Sequence, residues 1–264
     1  IIAAQKSDIT IGALFLSIYS PKSPYLHSIW KGISEECHKE NIGLQFFSIP
    51  EESIESESNP LLWSNLRKKR IKGLILTSRL PAKDIVLLQE QKIPFIWLGN
   101  DFPFERIHSI IIDNSFTISV ALNHLSAHGY KRVALIHFWW EPFILSLFQN
   151  KLAENGMEIN PELIQTGEVV TDEEERELAY KKTKELLKMD PKPEAIITPD
   201  EVITYSAIEA IEEEGLKIPG DIAIIGGCHT PKPFYLPKTT SFILYPTEEM
   251  AKLGVSMLLS LIHI

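Results

Sequence analysis

The residues able to do chemistry in this sequence are of the binding kind more than the reacting kind. The segment 137–143 carries four aromatic residues, Phe138, Trp139, Trp140 and Phe143. Aromatic faces stack on apolar sugar faces or planar rings, so this run reads as a stacking wall, with packing against another lobe or another copy as the competing reading. His124 and His128 stand four apart on a helical pattern and could face one metal, but the H-E-x-x-H glutamate is missing and no third ligand is evident. A surface pair at a helix end is the simpler reading. Cys228-His229 invites thiol catalysis, yet adjacent residues seldom form a nucleophile and its base, and no orienting third group is indicated. The sequence has no G-x-S-x-G elbow, no G-x-x-x-x-G-K-[ST] phosphate loop, and no G-x-G-x-x-G after its first apolar run. These residues point away from an enzyme, imply no cofactor, and leave binding as the expected activity.

Positioning such residues falls to an alternation of apolar, β-branched runs with helical patterns. Strands are expected at residues 10–17, 43–47, 73–76, 94–98, 110–112, 132–136, 195–197, 223–225 and 242–244. Helices are expected at 24–39, 61–69, 83–91, 115–128, 143–155, 172–188, 203–214 and 247–261. Leu26, Ile29, Trp30, Ile33 and Cys37 recur at helical spacing and define one buried stripe. Gly129, Gly156 and Gly215 close three of the helices, and Thr247 with Glu248 and Glu249 opens the last. This order specifies parallel sheets covered on both faces by helices, an α/β fold.

Length and composition bound the rest. With 264 residues and 44% hydrophobic content the chain can bury two cores of ordinary domain size. A formal charge of -9 and a pI near 5.4 work against phosphate binding, which needs clustered Lys and Arg, so this segment is not expected to read DNA itself. Two cysteines, one in a helical pattern and one in a loop, make neither a disulfide framework nor a metal site. With no apolar run of membrane-spanning length and no secretory start, the expected compartment is the cytoplasm.

Eight pieces in order carry a resemblance over residues 7–264: "TIGALFLS", "SPYL", "IKGLILTS", "IPFIWLGND", "IIIDNSF", "HLSAHGYKRVALI", "PEAIITPDEVITYSAIEAIEEEGLKIPGDIAIIGG" and "TTSFILYPTEEMAKLGVSMLL". They resemble the effector-binding domain of the lactose-repressor (LacI/GalR) family of transcription regulators, which shares its fold with periplasmic sugar-binding proteins. The resemblance implies two similar parallel-sheet lobes of periplasmic-binding-protein type. One is residues 7–129 with 246–264 and the other residues 130–241. Chain crossings are implied near Gly129, near Thr240 and beyond residue 264, with a small molecule held between the lobes. It also implies a homodimer, and operator DNA read by a helix-turn-helix placed before residue 1. A secreted or membrane-associated solute-binding protein of the same fold is the alternative, which an export signal in the gene would reveal.

Carried across position by position, the family's ligand contacts fall on Tyr19 and Tyr25 after the first strand, Ser78 after the third and Asn100 after the fourth. Phe116, Trp139, Trp140, Asp200, His229 and Tyr245 complete the set. Asp113 and Asn114 are read as helix caps, Asp200 as a cap or a ligand acceptor, and Tyr25 as a stacking ring or a core ring. Several departures from the family pattern run one way. The usual arginine clamp is Ile144, the usual aspartate pair is Cys228-His229, and the usual Arg-Gln is Leu244-Tyr245. Such a site has exchanged charge for rings and aliphatics. A less polar, planar or glycosylated ligand fits it better than a free sugar, whose unpaired polar groups would each cost about 1–3 kcal/mol, and a degenerate pocket that holds no small ligand is the competing reading.

Overall fold

The computed structural model describes residues 9–16, 23–49, 54, 59–77, 80–99, 107–138, 142–169, 171–231 and 240–263. Contacts divide the chain into two units, residues 1–112 with 246–264, and residues 113–245.

In the first unit, β1 (Thr10–Leu16), β2 (Gly43–Ile49), β3 (Leu74–Leu76), β4 (Phe95–Gly99) and β5 (Ser109–Ile111) form one parallel sheet in the order β2-β1-β3-β4-β5. Successive strand residues point to opposite faces, and both faces are apolar. Ile11, Ala13, Ile75, Ile96 and Leu98 pack under α1 (Pro24–Lys39) and α8 (Thr247–His263). Leu14, Leu16, Leu74, Leu76, Phe95 and Trp97 pack under α2 (Pro60–Arg67) and α3 (Ala82–Glu90).

The second unit repeats that topology. Strands β6 (Val133–Ile136), β7 (Ile164–Gln165), β8 (Ala195–Thr198), β9 (Ala223–Cys228) and β10 (Ser241–Leu244) are ordered β10-β9-β8-β6-β7, again all parallel. Val133, Leu135, Ala195, Ile197, Ala223 and Ile225 face α4 (Asn114–Ala127) and α5 (Pro142–Glu154). On the other face Ala134, Ile136 and Ile196 meet α6 (Asp172–Leu187) and α7 (Glu201–Glu213).

Three expectations need correction. The division falls at 112/113 and not near Gly129, because the buried stripe Ile118, Ala121, Leu122 and Leu125 of α4 packs onto the second sheet. The first unit resumes at 246, the residue expected, while the second runs through 245 and not only to 241. The pairing of the two-residue β7, preceded by a 3-10 turn at Pro161–Leu163, was not expected, since two residues give no periodicity to read. Cys228 ends strand β9 and is not in a loop. Among the described residues no helix is long and apolar enough to cross a membrane.

Candidate functional site

In open α/β sheets a crevice opens at the carboxyl ends of the strands, where strand order reverses. In the second unit that point lies between β6 and β8, which carry the chain away in opposite directions. A cavity of about 50 Å³ is found there. Its walls come from the strand ends at Leu135 and His137, at Ile197 and Thr198, at Ile225 to Gly227, and at Ile243 and Tyr245, together with the first turns of α4 and α5. On α4, Asn114, Thr117, Ile118 and Ala121 stand at i, i+3, i+4 and i+7, so one helical face places a polar head above an apolar stripe. Ile144 of α5, 3% exposed, fills the position where the family pattern has its arginine.

The polar groups around this cavity are mostly committed elsewhere. Thr117 Oγ1 donates to the Asp113 carbonyl at 3.0 Å. Thr204 Oγ1 donates to the Asp200 carbonyl, so the 2.7 Å contact between Thr198 and Thr204 has Thr198 as donor. Asp113 caps α4 by accepting the Phe116 N–H at 2.9 Å, leaving Asn114 as the first helical residue. Asn114 Nδ2 is buried and meets no hydrogen-bond partner among the described residues. An unsatisfied buried donor of this sort costs about 1–3 kcal/mol.

Two glycines let β9 approach the turn before α7. A Cβ on Gly227 would overlap the Pro199 carbonyl, and one on Gly226 would overlap the Thr204 hydroxyl. The approach is fastened by Glu201, whose Oε1 accepts the backbone N–H groups of His229 at 2.7 Å and Thr230 at 3.2 Å. Cys228 Sγ adds bonds to Glu201 at 3.3 Å and to the Thr230 carbonyl at 2.8 Å. Burial, seconded by Glu201, pushes the Cys228 thiol up to about 11 and keeps it protonated at neutral pH, which removes the thiolate a nucleophile needs. Burial pushes the His229 imidazole below its ordinary value, with Glu201 opposing.

Of the ten expected ligand residues, Tyr19, Ser78, Asn100, Trp139 and Trp140 lie outside the described residues. Tyr245 lines the cavity, and the His229 ring lies tilted against it at 5.0 Å between centroids. Asp200 Oδ1 caps α7 through the Ile203 N–H at 2.9 Å, in accord with its reading as a cap. Phe116 is 68% exposed and is not among the cavity's walls. Tyr25 lies in the first unit, its hydroxyl 3.4 Å from the Thr77 and Leu98 carbonyls, so it ties the start of α1 to the ends of β3 and β4 as a core ring would. Sequence reasoning missed Asn114, Thr117, His137, Thr198 and Ile243 as cavity walls. The signal for Asn114 was present, because a helix has one N-cap and Asp113 already fills it. His124 and His128 lie against each other at 4.4 Å, and no group of metal-ligating residues is found among the described residues.

Residues 122–263 match the model of the periplasmic binding protein-like domain family. The chain is 28% identical over 240 residues to the HTH-type transcriptional repressor PurR of Histophilus somni, an alignment covering 88% of this chain and 69% of that protein. Its fold superposes on a regulatory protein of the LacI family from Chloroflexus aggregans with a TM-score of 0.83 at 21% identity, over 97% of this chain and 92% of that one. A LacI family transcriptional regulator from Enterococcus faecium, solved with bound ribose, gives 0.76 at 21% identity, over 97% and 91%. More than half of the chain is matched by one family model, on a doubled parallel-sheet fold that LacI family regulators share, and the protein belongs to the periplasmic binding protein-like domain family.

Proposed function

We propose that this domain senses a small molecule on behalf of a DNA-binding transcription regulator, binding it without chemical change. The observation that carries the reading is the cavity at the strand ends of the second unit, with an unsatisfied amide donor over aliphatic walls. A LacI-type fold supplies the context. In this reading the molecule is clasped by both units, the chain acts as a homodimer in the cytoplasm, and operator DNA is read by a helix-turn-helix segment elsewhere in the protein. Ligand shifts the regulator only through unequal affinity for its two arrangements, and the spacing of DNA half-sites converts that shift into operator affinity.

Free sugars are disfavoured as the effector. Where a bidentate guanidinium would hold hydroxyls, Ile144 offers none, and the protons of Thr117 and Thr198 are engaged within the protein. A thermal-shift panel of free pentoses and hexoses, alkyl and aryl glycosides, nucleobases and short-chain acids tests this. The less polar members should raise Tm saturably, with about 2.7 kcal/mol of stabilisation at a hundredfold excess over Kd, and be recovered unchanged. If no member raises Tm, or if the bound compound is recovered chemically altered, the reading fails.

A further inference from the structure

The cavity has a composition that restricts what can enter it. Seven of its fifteen lining residues are aliphatic: Ile118, Ala121, Leu135, Ile144, Ile197, Ile225 and Ile243. Water is a poor occupant of such a space, because an internal water needs two to four polar partners and the buried polar atom left open here is Asn114 Nδ2. Size sets the second limit. About 50 Å³ is roughly a third of the ~150 Å³ that takes up a benzene ring, which leaves room for about two carbon atoms. Chemistry sets the third, since Asn114 Nδ2 is a donor and asks for an acceptor oxygen beside the apolar group.

We propose that the effector carries a compact alkyl group of about two carbons next to a carbonyl, carboxylate or ether oxygen. The alkyl group fills the aliphatic slot beneath α4 and the oxygen accepts from Asn114. This deepens the proposed function and rests on it for the word effector, but the slot's preference is a property of this chain and can be measured without the natural ligand.

The probe is the carboxamide series from formamide through acetamide and propionamide to butyramide, titrated into the whole chain while the Asn114 side-chain amide and the isoleucine methyls are followed by NMR. Each carbon up to the second should tighten Kd about fourfold, with no further gain at butyramide. Ala121→Val should abolish the gain from the second carbon, and Ile144→Val should move the optimum one carbon longer. The Ile144→Val shift is a gain that a merely loosened fold cannot give. A flat series, or a series whose optimum neither variant moves, overturns the slot whatever the metabolite panel shows. A graded series beside a silent panel would uphold the slot and count against the sensing function.

Discussion

The two units share one strand order but treat the same structural problem differently. In each, a helix covers the face of the sheet that α1 or α5 also covers, and its chain arrives from the other unit: α8 enters the first at 245/246, and α4 enters the second at 112/113. Each of these helices begins with a buried polar group. Thr247 of α8 donates to Ser28 Oγ of α1 at 2.7 Å, whereas Nδ2 of Asn114 in α4 faces no partner among the described residues. The helices close differently too. A Cβ on Gly32 of α1 would strike the Glu248 carbonyl, and one on Gly254 of α8 would press on Leu98, so α1 and α8 meet backbone to backbone over the sheet. Beneath α4 a cavity remains.

Buried glutamates repeat the contrast. Glu36 in α1 is 6% exposed and holds Lys39 at 2.7 Å, with Ser256 at 3.4 Å. Glu175 in α6 is 5% exposed, and its Oε1 has no partner among the described residues. Burial first, then Asp200 and Asp172, push its carboxyl up to about 9. Of these two glutamates, the one in α1 is paired and the one in α6 leaves an oxygen open, as Trp30 Nε1 of the first unit also is.

The sharpest way to break this comparison is Gly32→Ala. If α1 and α8 are as tightly closed as the geometry indicates, the methyl group has the Glu248 backbone and the Ala251 Cβ to push against, neither of which can rotate away, and the variant should lose on the order of 2–4 kcal/mol by denaturant unfolding. A loss below 1 kcal/mol would mean the first unit has slack of its own.

Glu175→Gln comes next. Between about pH 5 and 9 the carboxyl is protonated in the folded chain and ionised in the unfolded one, so folding takes up a proton and stability falls as pH rises. The glutamine variant should flatten that slope and be more stable at pH 8 by on the order of 1–3 kcal/mol. An unchanged slope would show that Glu175 is ionised and paired after all.

A matched pair then isolates the two helix starts. Thr247→Val strands the Ser28 hydroxyl and should cost about 1–2 kcal/mol, while Asn114→Leu removes an unsatisfied donor and should be neutral or stabilising by up to about 1 kcal/mol. Equal losses in the two variants would erase the distinction drawn between α8 and α4.

Much of the fold was readable because buried parallel strands announce themselves as short β-branched runs, and because glycine and capping residues punctuate the helices between them. What could not be read was which sheet a helix covers. The stripe Ile118, Ala121, Leu122 and Leu125 suits either sheet equally, which is why the boundary was expected a whole helix too late. The site was legible where a residue departs from a pattern: Ile144 in place of an arginine already signalled an apolar pocket. It was illegible where one residue type serves two purposes, as in Asp113-Asn114, where both residues look like caps and only the structure shows that one caps and the other lines the cavity. The aromatic run at Trp139 and Trp140 lies outside the described residues, so its role as a stacking wall stays a proposal that substitution of either tryptophan by alanine addresses through ligand affinity.

The most direct test of the central claim uses 13C-labelled isoleucine methyls and the best binder from the metabolite panel. Ile118, Ile144, Ile197, Ile225 and Ile243 line the cavity, and Ile11, Ile33 and Ile75 sit in the α1/α8 core of the first unit. On saturation the first group should shift and the second should hold still. Shifts confined to the second group, with the cavity methyls silent, would contradict the account.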